Sequence, residues 1–386
     1  MSGAQTICLL VPSLVPYDAV GNDVVQMRAA LLKSGHTVRV FAEGVHPDCT
    51  AIAEPVALAP EQLWRSPENI LIYHHSIGWQ QGEEILFRTR NKVILRYHNI
   101  TPAGFFAPYS TDYEQACEHG AGSTKRIAKL GEMLVVGAST FNCDDMVALG
   151  VKRENCRVLP PFHLTEELGN EMFDVTTSLR YSGSVTNILF VGGMKPNKGH
   201  ARAIRVFAEY QQRFNNRSRL IFAGGLDERL RDYQNELRTL AHQLGVFDHV
   251  IFTGVVTGAQ IKSLFVCADV FLCTSEHEGF CVPLVESMYF RVPVVAWGIA
   301  AVAETMGDCG FVLDEWDEFS FAASIHQIVE DDQIAERLGT RGRKRYRESF
   351  SPGVLRRKLD EIVAEVTTGS PGFRGSASSG EGNHTQ

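Results

Sequence analysis

Val270-Phe-Leu-Cys-Thr-Ser-Glu-His-Glu-Gly-Phe-Cys-Val-Pro-Leu-Val-Glu-Ser-Met288 sets a short apolar run against a glycine-bearing turn and then a helix-forming pattern. The run 270–274 is too short for a helix and is bounded by polar residues, so it predicts a strand buried on both faces. Pro283 suits the first turn of a helix, where its missing N–H would have no partner anyway. Gly279 allows the backbone to approach a ligand closely, and free amides at the helix start favour an anion such as a diphosphate. Glu278 falls on the loop and Glu286 one turn inside the helix, so the two carboxylates face different parts of one ligand. A strand-loop-helix junction that merely carries Glu is the plainer alternative.

The same unit recurs outward along the chain. A first series of strands is predicted at 6–11, 37–42, 69–73, 92–97, 132–136 and 157–159, and a second at 187–191, 218–223, 249–252, 270–274, 292–296 and 310–313. Amphipathic segments alternate with both series, which predicts an α/β protein of two Rossmann-like doubly wound domains facing a central cleft. The boundaries read as 1–165 for an N-terminal domain, 166–186 for the connection and 187–345 for a C-terminal domain. A C-terminal helix at 346–368 is expected to pack back on the N-terminal domain. The tail 369–386, rich in Gly and Ser, is expected to be disordered.

Composition narrows the partners. A chain of 386 residues with a formal net charge of -8 lacks the clustered cations that nucleic-acid phosphates demand. Nine cysteines without metal-ligand spacing fit free thiols in a reducing compartment. The apolar stretch 7–11 is cut by Pro12 and no Lys or Arg precedes Arg28, so no secretory signal is expected, and no run approaches membrane-spanning length. The expected location is cytoplasmic. The basic stretches 88–96 and 125–129 offer either peripheral contact with an anionic membrane face or solvated helix surfaces.

A second informative segment is Asn187-Ile-Leu-Phe-Val-Gly-Gly-Met-Lys-Pro-Asn-Lys-Gly-His200, a strand passing through a glycine turn into a helix. Lys195 and Lys198 bring positive charge to free amides, which suits a departing nucleoside diphosphate as well as it suits a solvated surface. The order is not that of a Walker loop. His119-Gly-Ala-Gly-Ser-Thr-Lys125 superficially looks like a phosphate loop but reads as a surface turn between helices. His74 and His75 end a strand and point with Trp79 toward the predicted cleft, where His75, Trp79 and Asn99 are candidate acceptor contacts, a packed or exposed histidine being the commoner alternative.

Together, and in this order, these two segments resemble the C-terminal domain of family-four retaining glycosyltransferases, the group 1 type of the GT-B fold. That family carries Glu, seven residues and a second Glu, here Glu278 and Glu286, with Gly279, Phe280 and Cys281 after the first. The likeness extends through Gly254, Ala268-Asp269, Glu304 and Gly310. In the N-terminal half Gly21-Asn-Asp and Lys33-Ser-Gly-His-Thr-Val resemble the glycine loop and first helix end, and Arg96-Tyr-His-Asn the cleft histidine. The resemblance implies that Glu278 contacts the transferred sugar, Glu286 the ribose hydroxyls and Lys198 the diphosphate. It implies that amides of Phe280, Cys281 and Val282 hold donor sugar and phosphate, that Gly21 lets the first loop close, and that His98 lies at the reacting centre.

Two positions depart from the pattern. Gly192-Gly193 stands where the family has Gly-Arg, and Lys195 is the candidate substitute for that cation. Cys281 replaces the second glycine, with the expectation of a narrower sugar pocket. No Asp-x-Asp occurs, so the expected chemistry needs neither metal nor cofactor. The partners implied are a nucleotide-diphosphate sugar and a saccharide or lipid-linked acceptor, and the oligomeric state is left open. A nucleotide-sugar epimerase and a non-catalytic carbohydrate-binding protein are the competing readings.

Overall fold

The computed structural model describes residues 5–16 and 18–368, so the tail 369–386 lies outside it. Its first sheet consists of β1 (Thr6–Leu14), β2 (Thr37–Val45), β3 (Glu54–Pro55), β4 (Ile70–His75), β5 (Lys92–Tyr97), β6 (Leu134–Gly137) and β7 (Cys156–Val158). The second consists of β8 (Thr186–Val191), β9 (Ser218–Ala223), β10 (Val250–Gly254), β11 (Val270–Cys273), β12 (Val294–Trp297) and β13 (Phe311–Leu313). Strand order is β3-β2-β1-β4-β5-β6-β7 in the first and β10-β9-β8-β11-β12-β13 in the second. Neighbours pair in parallel in both, with Leu9 opposite Val40 and Ile72, and Ile188 opposite Leu220 and Val270.

Each sheet is therefore wound outward from its first strand and back, with switch points between β1 and β4 and between β8 and β11. Crevices at such points lie beyond the C-terminal strand ends, and both open into the space between the domains. Leu9, Ile72, Ile188 and Leu189 are wholly buried, each contributing about 1.5–3 kcal/mol of apolar burial. The two strand series expected from the sequence are present. Pro12 does not end β1: it contributes no N–H, and pairing resumes at Ser13 opposite Gly44.

Three segments differ from expectation. The two-residue β3 had no apolar signal. His119 to Lys125 is not a turn but lies inside the helix Thr111–Ala128, capped by Ser110; Gly120 there packs against Ile100, and a Cβ on it would lie only 3.3 Å from the Gly78 nitrogen. The stretch 166–186 carries the helices Thr165–Asn170 and Val175–Tyr181, which pack on the C-terminal domain: Tyr181 enters its core, and Lys262 Nζ donates to the carbonyls of Gly169 and Glu171 at 2.8 and 2.7 Å. The helix Pro352–Thr368 crosses back to the first sheet, burying Leu355, Leu359, Val363 and Val366 against it. Among the described residues no helix is long and apolar enough to cross a membrane.

Candidate active site

The loops after β8 and β11 are stitched to one another at the switch point of the second sheet. The amides of Glu276 and His277 donate to the Asn197 carbonyl at 2.8 and 3.3 Å, and Thr274 Oγ1 donates to the Gly199 carbonyl at 2.8 Å. Gly199 sits at φ 73, and a Cβ there would fall 2.0 Å from the Thr274 carbonyl oxygen, so only glycine permits this approach. The stitching presents Lys198 to Glu278: Nζ donates to Oε1 at 2.7 Å, and Ser275 Oγ donates to the same oxygen at 2.8 Å. Burial opposes the Lys198 charge, but the Glu278 carboxylate outweighs it and holds the ammonium above its ordinary pKa.

The helix Val282–Phe290 begins immediately after this loop with Pro283 in its first turn, and no side chain caps it. The unpaired amides of a helix start carry the positive end of its dipole, which favours an anion beside Cys281 and Val282. Glu286 lies one turn further on, and burial alone pushes its carboxyl up to about 7. Lys195 is pulled below the ordinary lysine value by surrounding protein and by Lys198, against the attraction of Asp18 and Asp227. Asp18 belongs to the N-terminal domain, so the first loop of that domain faces the lysines across the cleft.

Gly279 brings the two domains together. A Cβ on it would lie 2.9 Å from the His98 carbonyl oxygen and 3.0 Å from Asn99 Cβ. Its own carbonyl accepts from Ser139 Oγ at 2.8 Å, and His277 Nε2 meets Asn99 Oδ1 at 2.9 Å. Asn99 Nδ2 also donates to Asn142 and Asp145, so this side chain works as a clasp between domains rather than as a free acceptor contact. Its φ of 75 is one that asparagine tolerates. Further along, the Glu304 carboxylate accepts from Thr140 N at 3.0 and 2.8 Å, capping the helix Thr140–Ala148 from the other domain.

Behind His98 lies a buried polar cluster. Asp23 accepts from Arg96 Nε at 2.9 Å, from a second Arg96 nitrogen at 3.3 Å and from the Phe162 amide at 2.7 Å. Burial alone would raise the Asp23 carboxyl; Arg96, His98 and His74 together reverse this and leave it below the ordinary value. His74 Nδ1 and His98 Nε2 are 3.0 Å apart beside it. Asp23, His74 and His98 could supply three metal ligands within 4.8 Å of one another, but the Arg96 guanidinium already occupies the carboxylate and adds a positive charge.

The remaining sequence candidates fall into two groups. Gly193 and Gly254 shape the loops beside Lys195: a Cβ on Gly193 would meet only the Gly225 oxygen at 3.9 Å, and Gly254 ends β10 at φ 72 while its carbonyl accepts from Gly224. Gly21 packs under Val15, where a Cβ would lie 2.4 Å from the carbonyl oxygen, and its amide is taken by Asp18. Phe280 is buried edge-on to Phe350. Cys281 does not line a pocket; its Sγ turns inward to 4.0 Å from Cys273 Sγ, and its distinguishing feature is a left-handed backbone at φ 75. His75 and Trp79 lie in the core of the N-terminal domain, not on the cleft. His75 Nε2 bonds Thr124 Oγ1 at 2.8 Å, and Trp79 is stacked on Tyr73 with its indole N–H on Glu43. Arg96 is likewise buried and forms no part of a basic surface. Ser275 and Asp23 lay within the quoted segments but were given no role of their own.

Residues 182–345 match the family model described as glycosyl transferases group 1. An uncharacterized glycosyltransferase of Methanocaldococcus jannaschii is 31% identical over 166 residues, 42% of this chain and 41% of that protein. The human alpha-1,3/1,6-mannosyltransferase ALG2 is 29% identical over 155 residues, 39% of this chain and 37% of that protein. The alignments thus span about two fifths of the length of these curated relatives. The crystal structure of Anabaena HepE in complex with UDP-glucose superposes with a TM-score of 0.71 at 17% identity, covering 93% of this chain and 99% of that one. The C-terminal domain of this chain is therefore a group 1 glycosyl transferase domain, and the two domains together have the GT-B fold.

Proposed function

We propose that the protein is a retaining glycosyltransferase that moves a hexose-type sugar from a UDP- or GDP-sugar to a saccharide, lipid-linked or small-molecule acceptor without a metal. The observation that carries this reading is the Lys198–Glu278 pair, set at the uncapped start of the helix Val282–Phe290 and apposed through Gly279 to His98. A diphosphate placed on those amides would meet Lys198 and Lys195, whose charges offset the negative charge that grows as the glycosidic bond breaks. Glu278 is engaged by a lysine and a serine, an arrangement suited to orienting sugar hydroxyls and steadying a cationic sugar. Glu286, with no cation against it, suits the ribose hydroxyls. The acceptor's proton would pass to the leaving phosphate on the same face of the sugar, with the domain contacts holding the reactants in register.

The test is transfer from a panel of nucleotide sugars, with thermal stabilisation to identify the donor. Glu286→Ala is expected to weaken donor binding and Glu278→Ala chiefly to lower turnover. Wild-type transfer by both variants would overturn the site assignment. Loss of activity in EDTA restored by Mg²⁺ would overturn the metal-free mechanism. Interconversion of the donor sugar without transfer would favour the epimerase.

A further inference from the structure

His74 Nδ1 and His98 Nε2 share one short gap of 3.0 Å, and each faces Asp23 Oδ2, at 3.7 and 3.6 Å. One proton fills that gap when both rings are neutral. Burial brings His74 down to about 4 and takes His98 well below the ordinary value, with Asp23 pulling upward and Arg96 downward, so both are neutral near pH 7. Two arrangements then remain. In one, His98 donates from Nε2 and His74 must carry its proton on its own Nε2. In the other, His74 donates from Nδ1, and His98 must carry its proton on Nδ1.

The surroundings choose between them. His74 Nε2 is buried with no partner among the described residues. A buried N–H without an acceptor is rarer and more costly than a bare lone pair, so the first arrangement is disfavoured. His98 turns Nε2 inward and keeps 9% of its side chain exposed, which leaves Nδ1 for the cleft.

We infer that His74 is a positioning residue that fixes His98 in its Nδ1–H form, so that the cleft histidine meets bound substrate as a hydrogen-bond donor and not as a base. The catalytic half of this inference rests on the placement of His98 at the reacting centre proposed above. A donor there can hold an oxygen lone pair of the sugar or acceptor, and the acceptor proton must leave by another route.

The experiment is ¹⁵N spectroscopy of the histidine rings in the full chain near pH 7, with the His98 signals assigned by their loss in His98→Gln. The expected result is a protonated Nδ1 and a bare Nε2. In His74→Leu only Asp23 faces Nε2, so the proton should move to Nε2, with a fall in kcat on the order of 10-fold and little change in donor KM. His74→Asn, whose amide N–H takes the place of Nδ1–H, should restore both the tautomer and kcat. A wild-type His98 protonated on Nε2, or a tautomer unchanged in His74→Leu, would overturn the inference. If His74→Leu does not fold, the wild-type spectrum and His74→Asn decide it. The expected spectra with full transfer by His98→Gln would support the tautomer and sink the catalytic placement instead.

Discussion

Each domain carries a carboxylate–cation pair, Arg96–Asp23 in the first and Lys198–Glu278 in the second, and the two are built differently. Arg96–Asp23 is wholly sealed, and the carboxylate takes two guanidinium nitrogens and the Phe162 amide while Arg96 also donates to the Leu159 carbonyl. Lys198–Glu278 is joined by a single contact at 2.7 Å, with 24% of the lysine side chain still exposed. The first pair is satisfied within the protein and serves to fix the helix Ala19–Lys33, β5 and the segment after β7 relative to one another. An unsaturated pair at a cleft can exchange partners when substrate arrives. The pair in the first domain thus serves packing and the pair in the second, in the proposed function, chemistry, and the count of satisfied bonds separates them.

The largest effect expected from this contrast is at Asp23. Asp23→Ala strands Arg96 in the core and should lower unfolding free energy by about 3–5 kcal/mol, read from denaturant curves. Lys198→Met should cost far less stability but reduce transfer on the order of 10²–10³-fold. Equal destabilisation by the two substitutions would erase the distinction.

Glu286 sharpens the contrast through pH. Its folded pKa of about 7 stands above its ordinary 4.5, so the folded state holds the proton more tightly. Stability linked to this group is therefore greatest below pH 4.5 and falls as pH rises toward 7. Glu286→Gln should flatten that slope, so that its Tm relative to wild type rises from acid to neutral pH and then levels off. A parallel Tm profile would show that the carboxylate has a partner in solution. The smallest effect is expected at Cys281→Gly. Relief of a left-handed non-glycine backbone, about 1–2 kcal/mol, is offset by the loss of a buried side chain worth about the same. Stability within about 1 kcal/mol and near-normal transfer would confirm that Cys281 belongs to the core and not to the sugar pocket.

Parallel strands buried on both faces announce themselves as continuous apolar runs, which is why β8 and β11 were legible to within a residue and β1 through Val11, with its stretch beyond Pro12 missed. The donor loops were legible because glycine, proline and the paired glutamates fall in one contiguous stretch. What stayed hidden is what depends on the partner side chain. Nothing in Arg96-Tyr-His-Asn shows that the arginine pairs inward with Asp23, 73 positions earlier, rather than facing solvent. His75 ends β4 and Trp79 follows it, as cleft residues would, yet Thr124 and Tyr73 draw them into the core. The glycines of 119–125 suggested a turn, yet Gly120 serves close packing against Gly78 and Ile100, a tertiary reason with no local signature.

The helix Pro352–Thr368 has one further consequence. The chain passes between domains near His163 and again after Phe350, and His163 Nε2 meets the Phe350 carbonyl at 3.0 Å. Two covalent crossings held side by side act as a door hung on adjacent pins. Any separation of Gly279 from His98 would therefore pivot close to this paired crossing.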